Sequence, residues 1–129
     1  MKDIINVTAH DINFIDIKTG EEYVVKPSGF LARAEYIEDY VGVWLLYGEE
    51  EEDKVELVKT RYVADKETER KIISWRESLR KEGRNPIFVG SIIAAQVYKG
   101  LVVGMISAPG YERSYLDNDK IRDDKFVIF

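Results

Sequence analysis

The stretch DKETERKIISWRESLRKEG, residues 65–83, decides the fold class because it carries a complete helix pattern. Asp65 is a good N-cap, and Gly83 is the residue type that commonly follows a helix C-terminus. Between them, Ile72, Trp75 and Leu79 recur at helical spacing, while the opposite face is charged and can form ion pairs between turns. The sequence therefore predicts one long helix, about 66–82, that packs on a sheet.

The sheet is predicted first from the N-terminal segments. Apolar residues 12–15 and 23–25 flank the polar, glycine-containing turn 18–21, which indicates a β-hairpin. Ile5 to Val7 precede it as a short apolar segment. From Phe30 to Ile37 the side chains alternate with period two, which predicts a strand with two distinct faces.

The next two segments flank an acidic run. Residues 41–47 are nearly all apolar, which predicts a strand covered on both faces, and residues 55–61 resume a strand. The two can pair as a hairpin around residues 49–53, EEEED. This tip lacks the glycine bend and spaced ligands of a calcium loop, so repulsion between its charges favours a solvated turn.

After the long helix, residues 87–89 predict a strand and residues 101–106 another. Between them, either Ser91 caps a short helix over about 91–99 that stops at Gly100, or the chain forms a hairpin turning at 99–100. Ala94 and Ala95 favour the helix by propensity. The polar residues 107–125 read as a loop, and the apolar end 126–129 as a strand paired with its own sheet or with a second copy.

These elements predict an α+β fold in one domain, residues 1–129: a mostly antiparallel, twisted sheet, one long helix and one short helix. Composition excludes several functions. The chain has no cysteine and one histidine, so a zinc site or disulfide framework is not expected, and we expect no cofactor. A net charge of -5 argues against nucleic-acid binding.

Composition also bears on location and source. No apolar run approaches the roughly 20 residues that span a bilayer, and no signal peptide is evident, so no membrane association and a cytoplasmic location are expected. One glutamine beside abundant Glu, Lys, Ile and Tyr is typical of a thermophilic source.

Candidate binding residues fall in three groups. His10, beside Asp11, is either a general base or a structural histidine at a strand end. Ser91 is either a plain N-cap or part of an anion site at a helix start, with an arginine supplying charge. The arginines available for that role are Arg33, Arg61, Arg113 and Arg122.

The C-terminal region supplies the third group. Tyr98, Tyr111, Tyr115 and Arg113 could stack a nucleotide or anchor a protein interface. Four nearby aspartates are interleaved with basic residues, which favours a solvated loop over a metal site; they are Asp117, Asp119, Asp123 and Asp124.

The motif NVTAHD at 6–11, PSG at 27–29 followed by Ala32 and Arg33, and VGSIIAA at 89–95 occur in this order. Together they resemble a family of small proteins from phages, prophages and archaeal viruses that starts with an NLTPH strand and ends near a YIVSxxVA segment. The family has no assigned function. It has proline where this chain has Ala9, and residues 49–85 match it least.

The resemblance implies a viral or prophage accessory protein. We therefore expect a non-enzymatic protein-interaction module that acts in the host cell and binds another protein, either a host protein or a second copy. The apolar end 126–129 predicts that the second copy binds there, as a homodimer. The alternative is a binder or sponge of a small phosphorylated or nucleotide ligand of the anti-defence type. A further alternative is a small hydrolase that uses His10, although the sequence identifies no partner nucleophile for it.

Overall fold

The computed structural model describes residues 3–16, 18–45, 54–107 and 123–129. It confirms the α+β class. The strands are β1 (Ile4–Asn6), β2 (Ile12–Ile15), β3 (Glu22–Val25), β4 (Glu35–Leu45), β5 (Lys54–Val63), β6 (Ile87–Val89), β7 (Val102–Ser107) and β8 (Asp123–Val127). The helices are α1 (Lys66–Lys81) and α2 (Ile92–Val97).

Six strands form a mixed sheet in the order β1-β6-β7-β8-β2-β3. Strand β6 runs parallel to both β1 and β7, β8 runs parallel to β2, and the β7–β8 and β2–β3 pairs are antiparallel. The two edges of the sheet meet where Asn6 bridges Pro27 and the Ser28 N–H donates to the Asn6 carbonyl oxygen at 2.9 Å. The sheet is therefore curled into a nearly closed barrel.

Alternate residues of the strands build two apolar layers. Val89 points to the inside of the barrel, with Ile12 and Phe14, whereas its neighbour Phe88 points to the outside. The helices cover that outer face, where Ile72 of α1 is fully buried. Period-two alternation along β6 thus serves both layers, as expected for a strand with apolar contacts on each side.

Local signals determine both helices as predicted. The Asp65 carboxylate caps α1 by accepting from the Thr68 N–H at 3.3 Å, and Gly83 follows the helix with φ of 82°. Ser91 Oγ caps α2 by accepting from the Ala94 N–H at 3.0 Å. The short helix is therefore confirmed over the alternative hairpin.

Two strand predictions need correction. The strand predicted from Phe30 begins only at Glu35, because Phe30 and Ala32 leave the sheet and pack in the core below α1. The prediction that residues 41–47 are covered on both faces is wrong for the part that is described: Val41 and Trp44 are 54% and 59% exposed. An all-apolar run indicates a strand, but its burial requires neighbouring elements, and the described part of the chain supplies β4 with few.

The C-terminal strand belongs to its own sheet. In β8, Phe126 pairs with Met105 and Val127 with Gly104, and the Phe126 ring lies 5.9 Å from that of Phe14. Ile128 beyond the strand is 76% exposed.

None of the helices in the described residues combines the length and the apolar character needed to cross a membrane.

Candidate functional site: the two-stranded arm

Strands β4 and β5 form a separate antiparallel ribbon, Glu35–Leu45 with Lys54–Val63, which we call the arm. At about 3.3 Å per residue its ten paired positions extend about 33 Å. The hairpin predicted around the acidic run is thereby confirmed, while residues 46–53 at its tip lie outside the described residues. Among the described elements, β4 and β5 have few neighbours other than each other, and the main one is α2, which lies beside β5.

Register assigns the arm's side chains to two faces, since directly opposed residues of an antiparallel pair share a face. What we call the tyrosine face carries Tyr36, Glu38, Tyr40 and Val43 of β4 opposite Tyr62, Thr60, Val58 and Glu56 of β5. What we call the tryptophan face carries Ile37, Asp39, Gly42 and Trp44 opposite Arg61, Lys59, Leu57 and Val55. A register shift at Val41 lets the large apolar residues occupy both faces of the outer half.

The arm concentrates the exposed apolar surface of the protein. Of the 17 exposed large apolar side chains in the described residues, nine lie on these two strands. Tyr40 is 66% exposed and Trp44 59%, whereas the other tryptophan, Trp75, packs edge-on against Phe88 in the core at 5.4 Å. A contiguous patch of this kind marks an interaction surface, and Trp and Tyr are the residues that most often dominate protein interfaces.

One buried side chain fixes the base of the arm. The Tyr98 hydroxyl donates to the Arg33 carbonyl oxygen at 2.8 Å and accepts from the Asp65 N–H at 2.9 Å. These two backbone groups lie two residues before β4 and two residues after β5. Since the ring is only 1% exposed, it anchors both ends of the arm to the core. Tyr98 is thus a core residue and does not offer a stacking surface.

The residues around His10 form a compact hydrogen-bonded loop. Asn6, 1% exposed, donates from Nδ2 to the carbonyl oxygens of His10 at 2.6 Å and Val25 at 3.0 Å. Its Oδ1 accepts from the Thr8 N–H at 2.9 Å and the Thr8 hydroxyl at 2.6 Å. His10 enters this network through its backbone, and its side chain is exposed. Local bonding by Asn and Thr accounts for the motif.

The fold brings the His10 loop and Ser91 to the same edge of the sheet. Asn6 and Val89 are register partners in the parallel β1–β6 pair, and the Val7 N–H donates to the Val89 carbonyl oxygen at 2.9 Å. The loops that follow the two strands are therefore neighbours. Ser91 Oγ, however, is occupied by its cap bond to Ala94, as Asn6 and Thr8 are by theirs.

The described arginine candidates do not join that edge. The Arg33 backbone lies beside Tyr98 at the end of α2, whereas Ser91 stands at its beginning. Arg61 lies on the arm, where its Nε donates to Asp39 at 2.8 Å. Tyr111, Arg113, Tyr115 and Arg122 lie outside the described residues, as do Asp117 and Asp119.

A cavity of about 530 Å³ opens at one end of the barrel interior. Phe14, Met105 and Phe126 line it together with the carboxylates Asp3 and Asp16. Its described lining residues include no arginine but one other cation, Lys125, beside the two carboxylates.

No family model, curated protein or solved structure matches this chain. Sequence reasoning missed the arm as a site, although the signal was present: an apolar run with a central tryptophan faces an apolar partner strand across an acidic, solvated turn.

Proposed function

We propose that the protein is a non-enzymatic protein-interaction module and that the arm is its binding element. This proposal rests on the exposure of Tyr40, Trp44 and their apolar neighbours. They lie on both faces of a ribbon that the rest of the described structure does not cover. The resemblance to phage and archaeal-virus proteins makes a host-cell protein the proposed partner.

Energetics support this proposal. An isolated two-stranded ribbon is marginally stable in water, so a ribbon of ten pairs gains from a surface that covers it. Burying a side chain such as Trp44 or Tyr40 in an interface contributes about 1.5–3 kcal/mol. The Tyr98 anchor holds the base of the ribbon before binding, which lowers the entropy lost when a partner docks.

The chemistry of the other candidate residues supports the same choice. His10 accepts a hydrogen bond from Asn6 through its backbone carbonyl oxygen, and Ser91 Oγ caps a helix. Neither arrangement activates the side chain as a nucleophile or a base. Among the described residues no group of three or more metal-ligating side chains is present.

The test is site-specific photo-crosslinking in the cells that naturally express the gene. A benzophenone amino acid is placed at Tyr40, and the matched control carries it at the exposed Lys99 beyond α2. We expect a discrete adduct with one protein at position 40 and none at 99. The partner, once identified and purified, should bind the Y40S variant at least about tenfold more weakly than wild type.

The proposal is contradicted if position 40 gives no adduct, or gives the same adducts as position 99. It is equally contradicted if the purified partner binds Y40S as tightly as wild type.

A further inference from the structure

The tryptophan face of the arm has a charge pattern that the tyrosine face lacks. On the tryptophan face the acidic residues Glu35 and Asp39 lie on β4, and the basic residues Lys59 and Arg61 lie on β5. On the tyrosine face, from the Tyr36–Tyr62 pair to the Val43–Glu56 pair, the two charged residues are Glu38 and Glu56, and both are acidic. Only the tryptophan face can therefore meet an identical face with opposite charges opposed.

We propose that the tryptophan faces of two copies of this chain pack against each other about a two-fold axis parallel to the strands. This inference concerns one face of the arm that the proposed function assigns to binding, and it leaves the tyrosine face free for a different partner. Such an axis places β4 of one copy over β5 of the other, which is a self-complementary, closed arrangement. An axis across the strands would instead oppose acidic β4 to acidic β4.

The register then specifies the contacts. Asp39 and Lys59 are directly opposed on the two strands, so Asp39 faces the partner's Lys59 and Lys59 faces the partner's Asp39. Within its own chain Asp39 accepts from Arg61 Nε through Oδ2, so the partner's Lys59 adds a second cation to the same carboxylate. By the same rule Trp44 faces the partner's Val55.

Shape agrees with charge on this face. Gly42 is the register partner of Leu57, and, its two chain neighbours aside, no atom of the described residues lies within 4 Å of where a Gly42 Cβ would stand. In the packed pair the space above Gly42 receives the partner's Leu57, so a large side chain meets a small one. Interdigitation of this kind is how two facing sheets pack at about 10 Å separation.

The size of the face sets the strength of association. A ribbon about 33 Å long and about 10 Å wide offers on the order of 300 Å² per copy, below the area of stable protein complexes. We therefore expect a weak dimer, with a Kd on the order of 10–100 µM. Because the chain carries a net charge of -5, its copies repel each other elsewhere, and the local opposite charges must direct the pairing.

The test uses two charge reversals and their mixture in sedimentation equilibrium. D39K gives this level of the arm a basic residue on both strands, and K59D gives it an acidic residue on both. We expect wild type to approach twice 14.9 kDa at high concentration and each variant alone to dimerise at least about tenfold more weakly. An equimolar mixture of D39K and K59D should dimerise again, because each level then opposes unlike charges.

Matched controls separate charge placement from net charge. E77K on α1 and K99D after α2 change exposed side chains by the same amounts, and their mixture should behave like each control alone. Far-ultraviolet circular dichroism confirms that every variant is folded. Rescue by mixing cannot arise from repairing the fold of either chain, since each keeps its own substitution.

A wild-type mass of 14.9 kDa at about 300 µM, or no gain of dimer in the mixture, overturns the two-fold arm packing. A monomer that still crosslinks to another protein through position 40 would overturn this inference alone. A chain that is monomeric at this concentration and also gives no adduct at position 40 would overturn both this inference and the proposed function.

Discussion

The Tyr98 hydroxyl donates a 2.8 Å hydrogen bond to the Arg33 carbonyl oxygen, two residues before the arm begins. The Tyr98 hydroxyl oxygen also accepts from the Asp65 N–H at the other end of the arm, at 2.9 Å. One buried phenol thereby couples the core beneath α2 to a ribbon that makes few other contacts with the described residues. Removing its oxygen should loosen the ribbon while leaving the core packing in place.

Y98F should therefore lower the free energy of unfolding by about 1–2 kcal/mol, since two backbone groups lose their partner. The matched control is Y23F, which loses an exposed 3.1 Å bond to Glu21 and should cost less than about 0.5 kcal/mol. Urea denaturation measures both. Equal effects of the two substitutions would contradict the anchoring role.

The buried amide of Asn6 gives a second prediction. N6D replaces a donor of two hydrogen bonds by a carboxylate aimed at the same two carbonyl oxygens, so it should cost about 2–4 kcal/mol. H10A removes an exposed ring whose backbone makes the bonds and should change stability by less than about 0.5 kcal/mol. A large loss of thermal stability in H10A would contradict the prediction that the loop is stabilised by the Asn6 side chain and not by the His10 ring.

Stability near the start of α1 should depend on pH. The Thr68 hydroxyl bonds the Asp65 carboxylate at 2.7 Å and is the main cause that holds the Asp65 pKa below its ordinary value. A lowered pKa in the folded state stabilises the protein above the unfolded value of about 3.9, and that contribution is lost as pH falls through the folded pKa.

D65N keeps a capping side chain but cannot titrate. The Tm of wild type should exceed that of D65N at neutral pH, and the difference should shrink as the pH falls below about 4. A difference that stays constant down to about pH 2 would contradict this assignment.

Truncations test the place of the C-terminal strand. Deletion of residues 126–129 removes the paired Phe126 and Val127 and should cost at least about 2 kcal/mol of stability. Deletion of residues 128–129 alone removes exposed side chains and should cost less than about 1 kcal/mol. Neither end residue lies on the arm, so the shorter deletion should leave dimer formation unchanged, in contrast to a dimer built through residues 126–129.

The elements predicted from the sequence are those with local signals. Asp65 and Gly83 mark the ends of α1, and Ser91 with two alanines marks α2, because caps and propensities act within a few residues. The pairing of Ile5 with Phe88 joins segments 83 residues apart, and nothing in either segment specifies the other. The parallel strand pairs therefore could not be predicted from the sequence.

The candidate site was less predictable for a related reason. The apolar run around Trp44 correctly indicates a strand, but a buried strand and an arm that awaits a partner have the same composition. Which of the two applies depends on whether neighbouring elements reach it, and that is a property of the whole fold. Polar residues such as Ser91 are candidate binding residues by their chemistry, but in the structure the Ser91 Oγ caps a helix.

The apolar faces of the arm are proposed to function by binding a partner protein or a second copy that covers them. Hydrogen–deuterium exchange, measured by mass spectrometry at about 1 µM and about 300 µM protein, tests this proposal most directly. We expect amides in 36–44 and 55–62 to become at least about threefold slower to exchange at the higher concentration, while those of α1 keep their rates. Arm amides that exchange at the same fast rate at both concentrations, and also in the presence of a protein crosslinked through position 40, would contradict the account.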